Sequence, residues 1–149
     1  MPDPIKVLIV EDEALIAMEL EGLVEDAGHL VTGWASNFEE ARALVEETKP
    51  DLAFVDLQLA DGNTGMDVAR FISENHGSIV VFMTANPRWL PDDLQGAVGV
   101  MAKPYTMNGV MGALRYLHEG IRRPPPMSKQ PVGFTLSPAF AAAWGPVSD

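Results

Sequence analysis

Five short apolar stretches alternate with segments of helical periodicity, and this alternation restricts the fold more than any other feature. The stretches are residues 5–10, 29–35, 52–55, 79–83 and 98–102. Short apolar runs with little polar alternation are typical of parallel strands buried on both faces. Five successive βα units predict an α/β fold, with a five-stranded parallel sheet, right-handed crossovers and helices on both faces.

The segments between the strands carry apolar residues at helical spacing. Helices are predicted over residues 15–24, 38–49, 66–72 and 107–118. Ser36 or Asn37 can cap the second of these helices, because a side-chain oxygen there accepts from free backbone N–H groups. Pro87 and Pro91 interrupt residues 85–97, where only one or two helical turns fit. The fourth helix of a doubly wound fold is therefore expected to be short or irregular.

The chain divides into a domain and a tail of different character. Residues 1–120 hold the βα pattern and are predicted to form the domain, which is long enough to bury a substantial core. Residues 121–149 begin with a proline-rich stretch and are predicted to be a disordered or a docking segment. Docking would use the aromatic residues Phe134, Phe140 and Trp144, on the domain, on a second copy or on a partner.

Composition excludes several classes of function. The net charge is −11, and the only basic cluster is Arg122-Arg123, which argues against nucleic acid and anionic membranes as partners. The absence of cysteine excludes disulfides and thiolate metal sites. No apolar run approaches membrane-spanning length, and the N-terminus lacks the pattern of a signal peptide. A cytoplasmic location is the simplest interpretation.

Polar residues follow four of the predicted strands. They are Glu11-Asp12, Asp56, Thr84 and Lys103-Pro104. In a parallel α/β sheet these strand ends meet at one rim, where ligands bind. Clustered carboxylates repel one another, and a divalent cation with a lysine relieves that repulsion and keeps Asp56 ionised and nucleophilic. Oxygen ligands suit Mg²⁺ better than zinc. A carboxylate nucleophile, Mg²⁺ and a lysine are the parts needed to accept a phosphoryl group.

The set Glu11-Asp12, Asp56, Thr84-Ala85 and Lys103-Pro104 resembles the receiver domain of two-component response regulators, which has a flavodoxin-like, CheY-like fold. The resemblance covers roughly residues 4–120. It implies that Asp56 accepts a phosphoryl group from a histidine kinase or a histidine phosphotransfer protein. It also implies a phosphorylation-controlled switch of protein–protein interactions rather than an enzyme, beyond self-catalysed phosphorylation and dephosphorylation.

The same resemblance implies a metal site and a switch. Mg²⁺ would be bound by Asp12, Asp56 and the backbone carbonyl of Gln58, with Glu11 acting directly or through water. Lys103 would contact the phosphoryl group. The other switch positions implied are Thr84, which would move to hydrogen-bond the phosphoryl group, Ala85 beside it, and Pro104, which would follow a cis peptide bond.

One departure from the family pattern affects the switch. The family usually holds an aromatic residue three positions before the lysine, and Val100 occupies that position here. Tyr105, or Trp89, is the candidate replacement. That the movement of Thr84 is coupled to a change in the orientation of this aromatic side chain is a hypothesis.

Two other classes of function stay open. A degenerate receiver would fold and bind a partner without being phosphorylated. A Mg²⁺-dependent phosphatase of the haloacid dehalogenase type would use the same nucleophile, but that class needs an aspartate where Gln58 stands. The resemblance, together with a tail too short for a DNA-binding output domain, favours a stand-alone response regulator. Such a regulator requires an unknown downstream protein as output partner, and a homodimer stays open.

Overall fold

The computed structural model describes residues 4–75, 77–85, 90–91, 94–103, 105–131 and 133–144. Within them the elements are β1 (Lys6–Val10), α1 (Ala14–Asp26), β2 (Leu30–Ala35), α2 (Phe38–Thr48), β3 (Leu52–Asp56), α3 (Gly65–Asn75), β4 (Ile79–Thr84), β5 (Gly99–Ala102), α4 (Met107–Arg122), β6 (Phe134–Leu136) and α5 (Pro138–Trp144). Among the described residues, no helix is long and apolar enough to cross a membrane.

The sheet confirms the predicted doubly wound α/β fold and corrects its strand number. Its order is β2-β1-β3-β4-β5-β6, and β1 to β5 pair in parallel. The prediction of five strands was wrong, because β6 adds an antiparallel sixth strand to β5. Phe134 and Leu136 are buried and Thr135 between them is exposed, which is strand periodicity. Three residues after a proline-rich stretch are too short a pattern to identify from sequence.

Apolar side chains of alternate strand positions form two cores, one on each face of the sheet. Phe54 lies in the core shared with α1, α4 and the tail, and Phe82 lies in the core shared with α2 and α3. Both side chains are almost wholly buried. Burial on both faces explains why these strands read as continuous apolar runs.

The helices begin and end for local reasons. Asn37, one of the two predicted caps, accepts a hydrogen bond from the Glu40 N–H at 2.9 Å, which satisfies a donor in the first turn of α2. α4 extends to Arg122, beyond the predicted end at residue 118. Thr106 caps its first turn by accepting from the Gly109 N–H.

Between β4 and β5 the chain is irregular, as expected. The described residues there form a single 3-10 turn, Leu94–Gly96, in which all three residues have positive φ angles. Pro87 and Trp89 lie outside the described residues. The helix that follows β5 is consequently the fourth α-helix of the described chain.

His29 links the end of α1 to the sheet at the rim opposite the carboxyl strand ends. Its Nδ1 accepts from the Ile5 N–H at 3.2 Å, and its ring lies edge-on to His118, with centroids 4.8 Å apart. Burial, and then the charges of His118 and Arg122, lower the pKa of His29. The folded protein therefore favours the neutral imidazole.

Stability should fall as the pH drops below about 6.5, the ordinary histidine pKa, because the unfolded chain then binds a proton that folded His29 resists. His29→Asn keeps an acceptor near the Nδ1 position and removes the titration. We expect thermal unfolding midpoints at pH 7.5 and 5.5 to differ less for His29→Asn than for wild type. An equal pH dependence in both proteins would contradict this role for His29.

Candidate functional site

The sheet register brings the predicted strand-end residues to one rim. Val10 pairs with Val55, so the next residues, Glu11 and Asp56, lie side by side at the ends of β1 and β3. Thr84 ends β4, and its carbonyl accepts from the Lys103 N–H at 2.8 Å just after β5. Four separate strands thus contribute to a single site.

Three carboxylates converge at this rim. One oxygen from each of Glu11, Asp12 and Asp56 lies within 4.8 Å of the others. Glu11 is buried, Asp56 is half-buried and Asp12 is exposed, so one side of the cluster is open to water. This oxygen-only donor set with an open side fits Mg²⁺, which keeps several of its waters in protein sites.

Lys103 provides the positive charge of the site. Its Nζ lies 3.1 Å from Glu11 Oε1 and 3.1 Å from Asp56 Oδ2, with all three side chains largely shielded from solvent. Burial lowers the pKa of Lys103, but Asp56 and Glu11 outweigh that effect and the net shift is upward. The ammonium therefore stays charged between two carboxylates.

The pKa of Glu11 reflects its burial beside another carboxylate. Burial, and then the hydrogen bonding and charge of Asp56, raise the pKa of Glu11 to about 7 against the opposing effect of Lys103. One ammonium does not neutralise three carboxylates. A divalent cation at the open side would complete the compensation.

A cleft of about 280 Å³ opens onto these groups. It is lined by Asp12, Glu13, Asp56, Leu57, Gln58, Thr84, Ala85 and Lys103. Thr84 is buried in its wall and Ala85 is exposed at its edge. The Gln58 N–H lies 3.4 Å from Asp56 Oδ1. The metal-binding role of the Gln58 carbonyl remains a prediction, and Pro104 lies outside the described residues.

Val100 and Tyr105 lie in different environments. Val100 is buried in the core that faces α2 and α3. Tyr105 is half-buried against the opposite core, which α1, α4 and the tail share. Burial, followed by nearby carboxylates that include Glu11 and Asp56, holds the pKa of Tyr105 well above its usual range. Tyr105 is therefore a neutral phenol near the site, on the face opposite Val100.

Two residues near the site were missed by the sequence reasoning. Gly65 begins α3 so close to β3 that a Cβ there would lie 2.1 Å from the Asp56 carbonyl oxygen. The Trp34 indole N–H donates to the Glu11 carbonyl from the neighbouring strand β2. Gly65 stood in a loop-like stretch that offered no reason to single it out. Trp34 precedes the last residue of a predicted strand, which could have drawn attention to it.

Residues 7–115 match the response regulator receiver domain. The chain belongs to this family. The phyllosphere-induced regulator PhyR of Methylorubrum extorquens is 37% identical over 123 residues, which cover 79% of this chain and 46% of that protein. The chain spans about half the length of the curated relatives it matches. The predicted resemblance to receivers of two-component signalling is confirmed.

Solved structures agree with this assignment. The response regulator PhyR from Brucella abortus superposes with a TM-score of 0.69 at 36% identity, covering 80% of this chain and 49% of that chain. The anti-anti-sigma factor PhyR from Bartonella quintana, solved with the anti-sigma factor NepR, is 42% identical with a TM-score of 0.51. That match covers 53% of this chain and 33% of that one. Both of these relatives are signalling regulators, one a response regulator and the other an anti-anti-sigma factor.

Gly65→Ala should disturb the site through the backbone. The new Cβ would collide with the carbonyl of Asp56, so the end of β3 and the start of α3 must move apart. We expect a loss of about 1–3 kcal/mol in the free energy of unfolding, as for other overpacked positions, together with weaker Mg²⁺ binding. Denaturant unfolding and Mg²⁺ titration measure the two effects. Gly77→Ala is the control, since nothing lies within 4 Å of its Cβ position.

Proposed function

We propose that this receiver accepts a phosphoryl group on Asp56 and thereby switches a protein–protein interaction. The observation that carries the proposal is the bridge from Lys103 Nζ to Asp56 and Glu11, at 3.1 Å each, beside three converging carboxylates. An ordinary strand-end aspartate needs neither a half-buried lysine nor acidic neighbours. The same groups are suited to a charged ligand that arrives at the open side of the cluster.

In the proposed reaction, an Asp56 oxygen attacks the phosphorus of a phosphohistidine. The new O–P bond forms as the P–N bond breaks, and the imidazole leaves with that electron pair and takes up a proton. Mg²⁺, held by Asp12, Asp56 and the Gln58 carbonyl with help from Glu11, would supply Lewis-acid charge neutralisation at the phosphoryl oxygens. Lys103 adds an ammonium at the same oxygens.

The acyl phosphate would then change the rim. Phosphorylation replaces one carboxylate charge by a larger dianionic group with three acceptor oxygens. Lys103 exchanges its contact with Asp56 for one with the phosphoryl group, and Thr84 in the cleft wall donates its hydroxyl. Because the Lys103 N–H already donates to the Thr84 carbonyl, both residues respond together.

The partners belong to the proposal as well. The donor would be a histidine kinase or a histidine phosphotransfer protein. That the Bartonella quintana relative is solved with an anti-sigma factor supports a protein as the downstream partner. A receiver that binds such a partner without phosphorylation is the second candidate function, and the relative's complex is compatible with it. The labelling experiment below separates the two.

Phosphoryl acceptance should require Asp56 and Mg²⁺. We expect the wild-type protein to take up label from a small phosphodonor, or to bind beryllofluoride, only with Mg²⁺ present. Asp56→Asn should reduce the signal to background, because an amide is a poor nucleophile. Asp67→Asn, on the exposed start of α3, is the control and should label normally. Equal labelling of the Asp56 variant would overturn the acceptor assignment, and no labelling of wild type would favour the second candidate.

Lys103→Met should slow phosphorylation, and the loss of its two ion pairs should also lower the free energy of unfolding. The ammonium makes charge-assisted contacts worth roughly 1.5–3 kcal/mol each, so we expect a fall in labelling rate of about tenfold or more. Bound Mg²⁺ should still register in a titration, since the three carboxylates remain. Lys129→Met, in the exposed segment after α4, is the matched control. An unchanged labelling rate would remove Lys103 from the proposed mechanism.

A further inference from the structure

The tail pairs with the outer edge of the sheet along the whole of β5. The Ala102 N–H donates to the Gly133 carbonyl at 2.9 Å, and β6 continues the ladder in antiparallel register. The Ser137 N–H then donates to the Val98 carbonyl at 2.9 Å. The edge of β5 is therefore satisfied by residues that lie outside the stretch matched to the receiver family.

The tail packs closely against two glycines of the domain, which have no Cβ atom in the way. A Cβ on Gly99 would lie 2.5 Å from the Thr135 carbonyl oxygen and 2.9 Å from the Phe134 ring. A Cβ on Gly120, in α4, would lie 2.4 Å from the Trp144 ring. At both positions the three nearest atoms belong to the tail. These glycines permit a close approach that any other residue would prevent.

Aromatic side chains anchor the tail on α4. The Tyr116 ring lies edge-on to Phe134 and to Trp144, with centroids 5.9 and 6.0 Å apart. Phe134, Leu136 and Trp144 are buried. The surface thus holds a short extended stretch with two apolar residues, followed by one helix turn or two that carry an aromatic residue. This is the chemistry of strand addition combined with a helix in a groove.

An exposed connection joins the tail to the domain. Met127 and Ser128 donate to the Glu119 carboxylate, which fixes the connection, but most of residues 122–130 are exposed. A three-residue strand and a seven-residue helix are not stable alone and depend on the domain. Once detached, the tail would remain tethered beside its own binding surface.

We propose that the β5 edge and the adjoining α4 face form a binding surface for a protein partner, which the chain's own tail occupies in competition. The partner would present the same chemistry as the tail, namely an apolar-polar-apolar extended stretch followed by a short helix with an aromatic residue. The bound tail shows that the surface accepts such a segment. The missing Cβ atoms of Gly99 and Gly120 leave the space that such a segment needs for its backbone and its aromatic ring.

The site at Asp56 is placed to control this competition, and this half of the proposal rests on the proposed function. Ala102, whose N–H holds Gly133, is the residue before Lys103. Tyr105 lies near Asp56 and also lines a cavity of about 420 Å³ with Pro131 and Gly133 of the tail. A movement of Lys103 towards a phosphoryl group would therefore act on the first hydrogen bond of the tail.

The experiment measures binding of a fluorescent peptide of residues 133–144 to the full chain. In the variant Phe134→Ala/Trp144→Ala the chain's own tail should compete poorly for the surface. We expect this variant to bind the peptide at least tenfold more tightly than wild type does. In wild type the tethered tail has an effective concentration on the order of millimolar and competes with the peptide. Adding Gly120→Ala should weaken peptide binding about tenfold or more. Gly22→Ala is the matched control, since its Cβ position in α1 is open. If the double variant does not fold, Trp144→Ala alone serves.

No binding to the tail-weakened protein, or equal binding with Gly120→Ala, would overturn the surface. Beryllofluoride with Mg²⁺ should raise peptide binding to wild type, and no rise in a protein that labels normally would overturn only the coupling. A failure of phosphoryl labelling would contradict the proposed function and not the binding surface. Light scattering of wild type with beryllofluoride and Mg²⁺ should give the mass of a monomer. A dimer that binds no peptide would show that a second copy of the chain occupies the surface, which would overturn the proposal.

Discussion

The ion pairs of Lys103 are the interaction on which the site depends. Two carboxylates from β1 and β3 approach the same ammonium at 3.1 Å, and Glu11 among them is buried. Without that charge the parallel register of the two strands would place like charges side by side in a poorly solvated position. The fold and the site therefore constrain each other, because the register that packs the core also brings the acids together.

Much of the fold was predictable because α/β sheets follow strict rules. Buried parallel strands read as apolar runs, and the rule that ligands bind at the carboxyl ends of strands predicts Glu11, Asp56, Thr84 and Lys103 at one rim from sequence alone. These residues needed no side-chain detail to be grouped, since the topology alone brings them together. The pKa of Glu11 and the bridging geometry of Lys103 did need coordinates, because they depend on distances that spacing does not specify.

What could not be predicted lies in close backbone approaches. Gly65 and Gly120 have no chemical signature, and their importance arises from atoms distant in sequence. The sixth strand escaped prediction for a related reason: a three-residue stretch gains its structure from the β5 edge rather than from its own propensity. Tertiary context therefore decided the elements that local pattern left open.

The pairing of β6 with β5 protects the protein against aggregation through an exposed strand edge. An uncovered strand edge is a template on which other chains can pair and aggregate. With β6 in place, the described structure hides that edge. A state that releases the tail would expose both the edge and the apolar surface around Tyr116, so lifetime in that state carries a risk of misassembly. Return of the tail to β5 would cover the edge again when no partner is bound.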